Sequence, residues 1–142
     1  MKDVSVAVTT KFNSSVGGIH NNLYTLVSGK FYKEWATQGV TMPYVVYHII
    51  DNVSTWTFDK THEAVRVQFD LFSAQESSLE VENMFLYLKE IYDWCTLTMT
   101  DHIFISMNRE MSRLVREQED RNWHYIVDYI VKIETKDNND CC

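Results

Sequence analysis

The 142-residue sequence predicts an α+β domain built on a mainly antiparallel four-stranded sheet with two helices packed on one face. Three observations carry that expectation. Apolar and polar residues alternate strictly in two segments, as in strands with one buried face. A segment between them repeats its apolar residues every three to four positions, as an amphipathic helix does. Finally, the elements run helix, strand, strand, helix, strand, strand, an order in which neighbouring strands pair as hairpins.

In chain order, residues 1–13 are mostly polar and are expected to form a flexible lead, as are residues 135–142 at the other end. Asn13, Ser14 and Ser15 are candidate cap residues. Val16, Ile19, Leu23, Leu26 and Val27 then recur at helical spacing until Gly29, which predicts a first helix over residues 15–28. Residues 30–38 are aromatic and suit a short strand or extended arm. Pro43 opens a clearer strand at residues 44–50, apolar and β-branched almost without interruption, so both of its faces are expected to be covered. Polar residues 51–54 and 59–63 bracket a tip at Trp56 and Phe58, which reads as a long hairpin connection.

The returning strand places Val65, Val67, Phe69 and Leu71 on one side and Arg66, Gln68 and Asp70 on the other. Ser77 and Glu80 have capping-box spacing, and Leu79, Met84, Phe85, Leu88, Ile91 and Cys95 follow with helical period, so a second helix is predicted over residues 77–94. Glu76, Glu80 and Glu82 lie where the helix dipole favours anions. In the last third, Ile103, Ile105 and Met107 alternate with Phe104 and Ser106. Trp123, Tyr125, Val127, Tyr129, Val131 and Ile133 alternate with His124, Asp128 and Lys132, and a charged turn at residues 118–122 joins the two strands.

Composition bounds the function classes. Chains of this length bury roughly 68–70% of the surface they expose when unfolded, enough for a core without disulfide or metal staples. Hydrophobic residues at 45% and charged residues at 23% are globular values, and one proline with four glycines leaves no linker or repeat. Thirteen basic against 20 acidic residues give a net charge of −7, which repels phosphate backbones and disfavours a nucleic-acid binder. No apolar segment is long enough for a signal peptide or a membrane span, so the expectation is a soluble protein made in the cytoplasm, with no membrane partner. Cys95 stands alone, and adjacent Cys141 and Cys142 suit neither a disulfide framework nor a metal pair.

Catalytic and cofactor patterns do not assemble. The histidines at 20, 48, 62, 102 and 124 share no metal-type spacing with one another or with cysteine. Asp101 and His102 are adjacent, but no motif-held serine or cysteine nucleophile accompanies them, and a solvated start of a strand is the simpler reading. His48 reads as a hydrogen-bonded core histidine. Gly17 and Gly18 lack the lysine of a phosphate loop, and Glu80, Glu82, Glu90 and Asp93 read as a solvated helix face. The chain is therefore expected to be no enzyme and to use no cofactor.

Several segments, taken in order, carry a family likeness. They are the helix end Leu23-Tyr24-Thr25-Leu26-Val27, the phrase Trp35-Ala36-Thr37-Gln38-Gly39-Val40-Thr41-Met42-Pro43-Tyr44-Val45-Val46-Tyr47, and the strand Val65-Arg66-Val67-Gln68-Phe69-Asp70-Leu71-Phe72-Ser73 with a long helix directly behind it. From about residue 19 to 134 the chain resembles the tail-completion, or tail-terminator, proteins of long-tailed bacteriophages. It departs from them in its longer polar loops and in the charge density of residues 109–122. The resemblance implies a structural virion protein that forms a hexameric ring on the last ring of the tail tube. Such a ring ends tail growth and offers a surface for head–tail joining, with the tail-tube protein and head–tail connector proteins as partners. DNA would pass through without specific binding, and assembly would take place in the host cytoplasm. A head-completion or neck protein is the first alternative. A small ligand-binding module with a pocket between the second helix and the sheet, using His48 or His124, is the second.

The candidate protein interface follows from pattern. Two helices cover one face of a sheet, which leaves Ile126 and Ile130 on the other face to be covered by a partner or by folded-back loops around Trp56, Phe58 and residues 31–35. Arg109, Arg113, Arg116 and Arg121 alternate with Glu110, Glu117, Glu119 and Asp120 in residues 109–122, a loop-like stretch with both charge signs that could set the register between subunits. The interface set is thus Trp56, Phe58, Arg109, Arg113, Arg116, Glu117, Arg121, Ile126 and Ile130.

Overall fold

The computed structural model describes residues 2–56, 61–119 and 121–136. Its first element corrects the expectation of a flexible lead, because Lys2–Asn13 form helix α1. Val4, Ala7, Val8 and Phe12 fall on one stripe of that helix and are buried. Its valines and threonines are weak helix formers, so burial of the stripe, and not propensity, holds the helix.

The expected helix over residues 15–28 is also corrected. Ser15–Val16 (β1) pairs antiparallel with Ile19–His20 (β2), and the Gly17-Gly18 turn between them has φ of +62° and +81°. Two successive positive φ values define the type I′ hairpin turn, which glycine adopts without a Cβ clash. The helix itself is short, Asn22–Val27 (α2), and its cap is Asn21, whose Oδ1 accepts from the Tyr24 N–H at 2.7 Å. It ends at Gly29 as expected, where the Gly29 N–H donates to the Tyr24 carbonyl at 2.9 Å.

Phe31–Lys33 (β3) runs parallel to Tyr44–Trp56 (β4), which pairs antiparallel with Thr61–Ser73 (β5) in register from Tyr44 opposite Phe72 to Trp56 opposite Thr61. The expected long connection is therefore mostly ladder, with a bulge between Ile49 and Asp51. Helix α3, Leu79–Tyr92, buries Val81, Met84, Leu88, Ile91 and Tyr92. The capping box does not form. Glu80 instead accepts from Ser73 Oγ and Gln75 Nε2, both at 2.8 Å, tying the helix start to the end of β5.

His102–Glu117 (β6) and Asn122–Thr135 (β7) form the closing hairpin, far longer than the expected pair because residues 109–117 are strand and not loop. The sheet is five-stranded and mixed, in the order β3-β4-β5-β7-β6. Among the described residues three helices, not two, share the core with it. Side chains of α1, α2 and α3 join Val45, Tyr47, Val65, Val67, Phe69, Leu71, Met107, Val127, Tyr129, Val131 and Ile133 in one buried cluster. Tyrosine hydroxyls staple α1 to that core. Tyr92 donates to the Val8 carbonyl at 2.9 Å, and Tyr47 donates to the Ser5 carbonyl at 3.2 Å. Burial pushes the Tyr92 hydroxyl well above its ordinary range, so it remains a neutral donor.

Candidate functional site

The sheet face opposite the helices presents the other half of each strand's alternation, and it is polar. Asp70, on the central strand β5, is 5% exposed. It accepts from His48 Nε2 of β4 at 2.9 Å, from His124 Nε2 of β7 at 2.8 Å and from Gln68 Nε2 at 3.2 Å. Because a carboxylate only accepts, both imidazoles carry a proton on Nε2. One buried acid thus clamps three adjacent strands. His48 is hydrogen-bonded as expected, but on this open face and not in the core. A row of rings continues outward from His124, stacked on Phe72 at 4.4 Å, with Tyr44 5.0 Å from Phe72 and Tyr32 6.4 Å from Tyr44.

A second cluster lies next to it. Arg66 Nη1 contacts Glu110 at 2.8 Å and Asp128 at 3.9 Å, and Arg66 Nε lies 3.6 Å from Asp51. Asp128 is 7% exposed, and its Oδ1 has no hydrogen-bond partner among the described residues; the same is true of Asn108 Oδ1. Burial raises the Asp128 carboxyl above its ordinary range; Arg66 offsets part of this, and the carboxylates of Glu110, Asp70 and Asp51 add to it.

The predicted interface residues separate onto different surfaces. Ile126 and Ile130 stand on the open face, opposite Asp70 and Arg66, and are half-buried. Among the described residues, loops do not fold back over them, since Trp56 and Trp35 are 76% and 84% exposed. Phe58 and Asp120 lie outside the described residues. Arg113, opposite Ile126, points to the open face, whereas Arg109 and Arg116, opposite Tyr129 and Trp123, lie on the helix side. The arginines are therefore not one patch. Arg109 sits 5.3 Å from the Phe85 ring and 3.6 Å from Asp93, Arg116 sits 5.1 Å from the Trp123 ring, and Glu117 is 3.7 Å from His124 Nδ1. Arg121 occupies the exposed hairpin turn with φ of +55°.

Away from the open face, the expectation of a solvated Asp101-His102 pair is corrected for the histidine. His102 Nδ1 donates to Asp3 at 3.0 Å, and its Nε2 faces Glu63 at 3.4 Å. Burial pushes the Asp3 carboxyl up, but hydrogen bonds from His102 and from the N–H groups of Thr100 and Asp101 outweigh it and hold Asp3 below its ordinary range. These contacts pin the first turn of α1 to the start of β6. An open cleft of about 670 Å³ lies beside that helix, lined by Lys2, Ser5, Val6, Thr9, Thr10, Lys33 and Tyr47, with neither His48 nor His124 among them. Burial pushes the Cys95 thiol up to about 11, well away from a reactive thiolate. Among the described residues no group of three histidine, cysteine or acidic side chains is arranged to hold a metal ion, and no helix is long and apolar enough to cross a membrane.

No family model matches the chain, and no curated protein matches it in sequence. Solved structures do match. One chain from the virion of a native gene transfer agent particle superposes with a TM-score of 0.82 at 9% sequence identity, covering 94% of this chain and 96% of that one. The two chains share a fold over nearly their whole length.

Proposed function

We propose that the chain is a structural virion subunit that caps the tail tube as a hexameric ring, ends tail growth and presents the surface for head–tail joining. The observation that carries this reading is the near-complete likeness to a chain of a virion particle. The segment order and motifs that resemble tail-completion proteins narrow it to the tail end. The exposed Trp35, Trp56 and Trp94, at 84%, 76% and 81%, supply large rigid side chains of the kind that anchor protein interfaces. The net charge of −7 suits a ring through which DNA slides without adhering.

The test is direct. Purified protein added to polymerising tail tubes stops their elongation, and an antibody label on finished particles decorates the junction between head and tail at the tube's end. Tubes that grow unchecked, with label on isolated heads instead, would move the assignment to a head-completion protein.

A further inference from the structure

We infer that the sheet continues from one copy of the chain into the next, the free edge of β4 at Asp51, Asn52 and Val53 pairing antiparallel with Met111, Ser112 and Arg113 of the neighbouring copy's β6. The inference rests on the ring reading above and names the contact that builds the ring. The sheet ends in two unlike edges. Strand β3 covers β4 only at Val45, Val46 and Tyr47, so among the described residues the backbone of residues 48–56 has no neighbour on that side. At the other end of the strand order, β6 has one side of its backbone unpaired. Residues 50–56 are exposed along both faces, and so are residues 109–113. The β4 stretch carries a single charge, Asp51, and neither proline nor lysine, so it lacks the residues that usually keep sheet edges apart.

Direction and register identify the occupant. The pairs β4–β5, β5–β7 and β7–β6 are all antiparallel, so β6 runs opposite to β4. A neighbour that keeps its open face on the same side therefore brings its β6 to β4 antiparallel. Two different edges that fit each other are what a head-to-tail ring requires, whereas β4 against a second β4 would close as a dimer. Opposite charges then fix the register. Asp51, opposite Arg66, lies on the open face with its carboxyl half-exposed and Arg66 Nε at 3.6 Å. Arg113, on the same face, is exposed and has no ion pair among the described residues, while the other arginines of β6, Arg109 and Arg116, lie on the helix side. With Asp51 opposite Arg113, antiparallel counting sets Val53, 60% exposed, opposite Met111, 47% exposed, also on the open face. Asn52 falls opposite Ser112 on the other face. One register thus matches charge with charge, apolar with apolar and polar with polar, and such cross-strand pairs are what stabilise a sheet. The bulges, between Ile49 and Asp51 and between Arg109 and Met111, lie just outside the matched stretch.

The experiment follows self-association of the whole chain by sedimentation for the parent, Asp51→Lys, Arg113→Glu and an equal mixture of the two variants. Alone, each variant sets like charges against each other at every joint and is expected to associate about tenfold more weakly than the parent. In the mixture, every joint between unlike copies regains opposite charges. Association is then expected to return to within about threefold of the parent, which misfolded chains could not do. Val53→Lys and Met111→Glu, alone and mixed, repeat the test one pair along. Parental association by Asp51→Lys or Arg113→Glu alone, or a mixture no stronger than its components, overturns the pairing while leaving the ring intact. Recovery at the charged pair but not at the Val53 and Met111 pair overturns this register. A parent chain that stays monomeric at all concentrations, or stops at a dimer, sinks the ring reading and this inference together.

Discussion

The two faces of one sheet use the same strands for different ends. On the helix side, Phe69 is fully buried among Phe31, Tyr47, Tyr92 and Tyr129, with ring centroids at 6.3, 6.2, 4.7 and 5.6 Å. Its neighbour Asp70, also nearly buried, points the other way into histidines. Apolar burial is non-directional and tolerates approximate fit, whereas a buried carboxylate needs every acceptor site matched by a donor. Asp70 meets that demand and Asp128 does not. The contrast teaches that the helix side is held by apolar burial, whereas the open face carries both a satisfied clamp at Asp70 and, among the described residues, an unmatched acceptor at Asp128.

Substitutions sharpen the comparison. The largest effect is expected from Phe69→Ala, which empties the centre of the core and should cost about 3–5 kcal/mol in chemical denaturation. Leu88→Ala should cost about 2–5 kcal/mol, and Phe85→Ala less, because Phe85 is half-buried and stacks on Tyr125 at 4.3 Å. Equal losses at Leu88, Phe85 and the exposed Glu82 would mean that α3 does not present this stripe to the sheet.

Asp70→Asn belongs next. It leaves imidazole N–H donors facing an amide, and about 1–3 kcal/mol of destabilisation is expected, read from the shift in denaturation midpoint. A neutral result would show that the clamp across β4, β5 and β7 adds nothing to the fold.

Asp3→Asn tests the pin on α1 through pH. Because the folded carboxyl of Asp3 is held below its unfolded value, its contribution is present above the unfolded value, near pH 4, and is lost as pH falls through the folded one. The variant should therefore melt below the parent at neutral pH and converge with it in the acid range. A gap that persists unchanged at acid pH would assign the loss to something other than the carboxylate.

The smallest effects should come from the charged strand. Arg113→Glu should leave monomer melting within about 0.5 kcal/mol of the parent, while Arg116→Glu removes a cation–ring contact worth about 0.5–1 kcal/mol. If both variants melt alike, the division of these arginines between two faces is wrong.

Much of this was legible in the sequence where a single period repeats. The alternation of Val65, Val67, Phe69 and Leu71 and the stripe of Met84, Leu88 and Ile91 named buried residues correctly, because a strand or helix buried on one side must repeat at 2 or 3.6 residues. The aromatic row of β7 was equally plain, and Gly29 marked the end of α2. The α1 stripe was present too, but its four apolar positions sit among weak helix formers and polar residues, so the local signal was faint. Gly17 and Gly18 were visible, yet nothing local distinguished an interrupted helix from a hairpin turn.

What the sequence determined by itself was class and pattern: strands, a long helix, the apolar periodicity of each amphipathic segment, and the acidic balance of the whole. Only tertiary structure decided which helices share the core, that residues 109–117 extend a strand, and that His48, Asp70 and His124 meet. The physical reason is range. Periodicity reports how one segment divides between water and core, whereas a hydrogen bond across three strands depends on register, and register is fixed only when distant segments pair.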